Sequence, residues 1–159
     1  MSEKKPIVYV AGPYGFSEAG RLFHYEKLLP MLSGLGFELR DPWSLTPPEV
    51  LGPVLAMPFG IERREAWRKV NVVIGRNNER AIQESNLVVA VLDGTDVDSG
   101  TAAEIGYAYA HGKLVVGYRG DFRQSADNDG GLVNLQVEYF VRQSGGEIFT
   151  SLEDLRKWL

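Results

Sequence analysis

The chain reads as a single-domain α/β protein: a doubly wound, parallel five-stranded sheet with helices on both faces. Three observations predict this. Apolar, β-rich runs alternate with helix-periodic runs along the whole sequence, as strands joined by crossover helices do. The run LVVAV at 87–91 is apolar at every position, as a strand covered on both faces must be. The 159 residues suit one domain, numbered 1–159, with no internal repeat, low-complexity stretch or linker to divide them. Right-handed crossovers between parallel strands then wind the sheet on both sides.

The elements follow in order. PIVYVAG (6–12) is a short buried strand ending in glycine, and PYGF (13–16) is a loop. Residues 17–36 carry Leu22, Tyr25, Leu28, Leu29 and Leu32 at helical spacing, with Ser17 as N-cap. Pro30 kinks this helix or marks a boundary. FELRDP (37–42) is a second strand. Residues 42–60 hold five prolines and read as an irregular loop, of a length often found at functional sites. Residues 61–86 read as one long helix or one broken near Gly75. LVVAVLDG (87–94) is a strand, GTAAEIGYAYAHG (100–112) a helix closed by Gly112, and KLVVGYRG (113–120) the next strand. A polar loop (121–131) leads to a helix at 132–146, a short strand at 147–151, and a last helix for which Thr150 and Glu153 form a capping box.

Composition narrows the function. A net charge of −4 and the absence of a basic stripe argue against nucleic-acid binding. The densest basic stretch, IERREAWRKV, interleaves two Glu with its cations and reads as a solvated helix face. No cysteine is present, which removes disulfides, thiolate metal sites and cysteine nucleophiles. The start of the chain lacks a signal-peptide run, and no apolar stretch approaches a membrane span. The expected location is the cytoplasm, away from membranes. His24 and His111 stand in no metal-binding spacing; His111 is expected at a helix C-terminus and His24 on an exposed or boundary face. No GxSxG elbow supports a serine hydrolase.

In an open α/β sheet, ligands bind beyond the carboxyl ends of the strands. Three loops leave such ends with suggestive contents: AGPYGF, DGTDVDSG and YRGDFRQSADNDGG. AGPYGF matches neither GxGxxG nor a P-loop. Its rings, Tyr14 and Phe16, either stack on a planar heterocycle or cap the core. DGTDVDSG is rich in acids. A hard-metal site is one reading, although the spacing is not that of an EF-hand. Acid placement at a helix N-terminus is another, and it accounts for Asp98. It does not account for Glu104, which lies past the first turn. The neighbours of Glu104 at three and four positions are Gly100, Thr101, Tyr107 and Ala108, so it has no helical ion-pair partner. A lone carboxylate beside small residues leaves room for a ligand, and carboxylates beside a sugar are the tools of glycosyl chemistry. The plainer alternative is an exposed Glu with no special role.

The segment DVDSGTAAEIGYAYAHGK, preceded by LVVAVLDG, resembles the signature of the nucleoside 2-deoxyribosyltransferase family. IVYVAGPYGF resembles that family's first strand and aromatic loop, and DNDGGLVNLQVEYF its late Asn-Leu segment. The resemblance runs in order over roughly residues 6–143. It implies a flavodoxin-like sheet and transfer of a 2-deoxyribosyl group between bases, with retention and with no metal or cofactor. Glu104 falls on the nucleophile that forms a covalent deoxyribosyl intermediate. Tyr9 falls on the tyrosine that orients it, and Asp98 on an Asp that binds the sugar 5′-hydroxyl. Asn134 falls on an Asn donated to a neighbouring subunit's site, which implies a homo-oligomer with shared active sites. Gly12, Tyr14 and Phe16 in the first loop, and Gly100 beside Glu104, fall on the substrate-binding surface. The implied partners are nucleosides and free nucleobases.

One position departs. Asn78 stands where the family places an Asp that protonates the leaving base. An amide donates a hydrogen bond but delivers no proton. Glu79 is adjacent, but one residue turns a helical side chain by about 100°. Two alternatives therefore stand beside transfer. One is an N-glycosidase that hydrolyses a nucleoside or deoxynucleotide; related glycosidases of 5′-monophosphates have Ser at the position of Asp98. The other is a non-catalytic nucleoside or nucleotide sensor.

Overall fold

The computed structural model describes residues 4–159. Five parallel strands lie in the order β2-β1-β3-β4-β5: β1 (Ile7–Ala11), β2 (Glu38–Arg40), β3 (Leu87–Val91), β4 (Leu114–Tyr118) and β5 (Ile148–Phe149). The register pairs Tyr9 with Arg40 on one side and with Val88 on the other. This is the flavodoxin-like order. The chain reverses its winding at β1, so the crevice beyond the carboxyl ends of β1 and β3 is the switch point where ligands of such sheets bind.

Strand residues alternate between two cores. Val8, Val10, Val89, Val91 and Val116 pack against Leu28, Leu32 and Leu155. These come from the helical stretch after β1, from α1 (Glu18–Phe23) to α2 (Leu29–Gly34), and from α7 (Leu152–Trp158). Tyr9, Ala11, Val88, Ala90 and Val115 face the other way, onto Ala81, Ile82, Ile105, Ala108, Val137 and Val141. Those belong to α4 (Ile61–Glu84), α5 (Ser99–Ala110) and α6 (Leu135–Gln143). The period of two along β1 therefore sends Tyr9 to the same side as α4 and α5.

The structure settles or corrects several local expectations. Residues 42–60 are not irregular throughout: α3 (Pro48–Ala56) occupies their centre. Pro48 sits in the first turn, where a missing N–H leaves no helical bond unmade. Helix α4 is the long helix of the two alternatives, running through Gly75 without a break. The last helix is capped by Ser151, whose hydroxyl accepts from the Asp154 N–H at 3.1 Å, rather than by Thr150. His24 is not exposed but buried, at 2% accessibility.

The physical reason for the last is a π-helical turn, His24–Leu28, between α1 and α2. The buried positions are Gly20, His24, Leu28 and Leu32. A spacing of four drifts around a regular helix of 3.6 residues per turn, and the wider turn restores its alignment. Leu22 and Tyr25, expected in the apolar stripe, are exposed. Ser17 does cap α1, its Oγ accepting from the Gly20 N–H at 3.0 Å. His111 caps the C-terminus of α5, and Gly112 beyond it has a φ of 66°, the left-handed conformation that favours glycine. No helix among the described residues is long and apolar enough to cross a membrane.

Candidate active site

A cleft of about 500 Å³ opens at the switch point. Gly12 supplies its floor at the end of β1, where a Cβ would come within 2.8 Å of Val91. One wall is the start of α5, with Asp98, Gly100, Thr101 and Glu104. Another is a face of α4 carrying Trp67, Asn71, Ile74 and Asn78, whose spacings of four, three and four keep them on one side of the helix. The segment between β2 and α4 adds Pro42, Trp43, Thr46 and Leu51, and Phe16 closes the rim.

Three residues from three elements meet at one point. The Tyr9 hydroxyl donates to Glu104 Oε1 at 2.7 Å, and Asn78 Nδ2 donates to the same oxygen at 3.4 Å. Both bonds converge on Oε1, so Oε2 has no partner among the described residues. Burial pushes the Glu104 carboxyl up to about 7. The Tyr9 bond works against that rise, the nearby Asp98 charge adds to it, and the Asn78 bond opposes it again. Tyr9 is fully buried, and burial followed by the charge of Glu104 raises its phenol. It stays protonated and donates.

Asp98 is the N-cap of α5. Its Oδ2 accepts from the Thr101 N–H at 2.9 Å and from the Thr101 hydroxyl at 3.1 Å. Its Oδ1 accepts from no described residue. The other acids of the loop point elsewhere. Asp93 Oδ2 accepts from the Tyr14 hydroxyl at 2.5 Å, and Asp96 Oδ1 from the Val97 N–H at 2.7 Å. No group of three or more His, Asp or Glu among the described residues could hold a metal. No lysine or arginine among the described residues lines the cleft.

The structure thus gathers Tyr9, Gly12, Phe16, Asn78, Asp98, Gly100 and Glu104 in or beside one cleft. Tyr14 stands apart, its ring edge-on to Phe23 at 5.4 Å. Asn134 stands apart as well. It caps α6, its Oδ1 accepting from the N–H groups of Gln136 and Val137. Glu79 is turned off the cleft and accepts from the Tyr107 hydroxyl at 3.0 Å.

Sequence reasoning missed the aromatic wall. Trp43 lies against Gly15, where a Cβ would come within 2.1 Å of the indole ring, and meets Phe16 edge-on at 4.7 Å. Asn77 ties this segment to α4, its Nδ2 donating to the Leu45 carbonyl and the Thr46 hydroxyl, both at 3.3 Å. The one available signal was the spacing of Trp67, Asn71, Ile74 and Asn78 along α4.

Comparisons with known proteins give the family and the fold. A family model described as nucleoside 2-deoxyribosyltransferase matches residues 8–140. A solved structure of a conserved protein from Enterococcus faecalis V583 superposes with a TM-score of 0.68 at 23% identity, covering 97% of this chain and 96% of that one. A 2-desoxiribosyltransferase from Leishmania mexicana gives 0.65 at 22%, covering 96% and 95%. A CMP N-glycosidase from Clostridium botulinum gives 0.56 at 18%, covering 96% of each chain. At these identities the likeness is one of fold. No curated protein matches the chain.

Proposed function

The chain belongs to the nucleoside 2-deoxyribosyltransferase family, and we propose that it moves a 2-deoxyribosyl group between nucleobases, with retention, through a covalent intermediate on Glu104. The observation that carries this is the Oε2, unpartnered among the described residues, of a half-buried carboxylate whose other oxygen is held by Tyr9 and Asn78. A lone pair of Oε2 attacks C1′ on the face opposite the base. The C1′–N bond breaks and its electrons leave with the base, which takes its proton from water because Asn78 has none to give. A nitrogen of the second base then attacks C1′, loses its own proton to water, and releases the Glu104 carboxylate. Two inversions leave the configuration retained.

The remaining residues bind. Asp98 Oδ1 accepts the sugar 5′-hydroxyl, and Gly100 leaves room for the ring. Phe16, Trp43 and Trp67 offer aromatic surface to a planar base. Two carboxylates and no cation line the cleft, so a 5′-phosphate is repelled and a free nucleoside is the substrate. Asn134 of one copy serves the site of another. Its Oδ1 is committed to capping α6, which leaves its amide N–H groups to donate, and the working unit is then a homo-oligomer acting in the cytoplasm. Hydrolysis is the second reading, favoured by Asn78: an amide takes no proton from the incoming base, so attack by that base is unassisted and water competes with it for the intermediate.

Product analysis tests this. Protein incubated with a 2′-deoxynucleoside and a different free base should yield the exchanged nucleoside, and Glu104→Ala should abolish it with the fold intact. Free deoxyribose without exchange supports hydrolysis. Binding without turnover supports a sensor.

A further inference from the structure

The pair His24 and Asp41 is buried at 2% and 5% accessibility and plays no part in the chemistry above. Burying polar side chains costs free energy unless they are hydrogen-bonded. We infer that this pair is a positioning device for Trp43, the aromatic wall of the cleft, and through it sets recognition of the base; the second clause rests on the transferase reading.

Four contacts link the pair to the cleft. His24 Nε2 donates to Asp41 Oδ1 at 3.1 Å. The same oxygen accepts from the backbone N–H of Trp43 at 3.3 Å. The Asp41 carbonyl accepts from the Ser44 N–H at 2.9 Å and the Ser44 hydroxyl at 3.0 Å, closing a turn around Trp43. The Trp43 ring is then wedged between Gly15 and Phe16. Asp41 follows directly on β2, so its backbone is anchored by the sheet, but its carboxylate needs a second anchor to aim Oδ1 at the turn. His24 supplies it, and the π-helical turn that begins at His24 brings the ring inward. Single π-turns within α-helices recur at functional sites.

The test reads Trp43 directly. The chain has three tryptophans, so 5-fluorotryptophan gives three 19F resonances, and Trp43→Phe assigns one. His24→Leu should move or broaden the Trp43 resonance and leave that of Trp158 in place. His24→Gln puts a donor nitrogen near the position of Nε2 and should restore the wild-type resonance. His24→Asn, whose shorter amide falls short of Asp41, should behave as His24→Leu does and serves if the leucine variant fails to fold. In base exchange, His24→Leu should raise the KM for the acceptor base about tenfold, the equivalent of one hydrogen bond, with kcat changed far less. It should add nothing further in a Trp43→Ala background. A Trp43 resonance that stays put in folded variants overturns the inference whatever the activity. A resonance that moves with no change in KM overturns the link to base recognition. If the wild type exchanges no base, the transferase reading falls, and the resonance still decides the pair.

Discussion

At the scale of single residues, the site turns on how one carboxyl is held. Glu104 is raised to about 7 by burial, and the Tyr9 bond restrains that rise. On the proposed mechanism only the ionised form attacks C1′, so kcat/KM should climb with pH, about tenfold per pH unit below 7, and level off above it. Removing the phenol in Tyr9→Phe takes away a bond to the charged form. The rising limb should then move to higher pH and the plateau should fall. A limb that stays in place after Tyr9→Phe would show that Tyr9 does not hold the nucleophile. Glu104 was legible as an anomaly in the sequence because a helical Glu with no cation at three or four positions stands out. The bond from Tyr9 could not be read from spacing, since it spans 95 positions and depends on which face of β1 meets α5.

At the scale of elements, the strands were legible and the cleft wall was not. LVVAV is buried at all five positions, so composition alone marks it. The segment 42–60 hid its helix behind five prolines, of which Pro48 occupies a tolerated first-turn position. Its role depends on tertiary contacts that leave no local pattern: Trp43 on Gly15, and Asn77 on Leu45 and Thr46. The helix after β1 misled for a different reason, since a π-turn shifts the phase that a period of 3.6 assumes. Gly15 gives this wall its sharpest test. Gly15→Ala places a methyl within 2.1 Å of the Trp43 ring. Overpacking of this kind should lower stability by about 1–3 kcal/mol, read as a lower denaturant midpoint at unchanged slope. The displaced indole should also raise the KM for the base. Full stability with unchanged KM would show that Trp43 is not wedged there.

At the scale of the whole molecule, the strand order explains why the site lies where it does. Parallel strands in the order β2-β1-β3-β4-β5 open a crevice between β1 and β3. The loop after β1, the segment after β2 and the start of α5 converge on it. Tyr9, Asn78 and Glu104 are far apart in sequence and meet because β1, α4 and α5 share one side of the sheet. The central claim is that Glu104 Oε2 bonds to C1′. Mass spectrometry of protein quenched in acid during turnover of a deoxynucleoside measures this most directly. The account predicts a protein heavier by one deoxyribosyl group, with the added mass on the proteolytic peptide that contains Glu104, and no such species from Glu104→Gln. Sustained base exchange with the adduct on another residue, or with none under conditions that trap such esters, would contradict it.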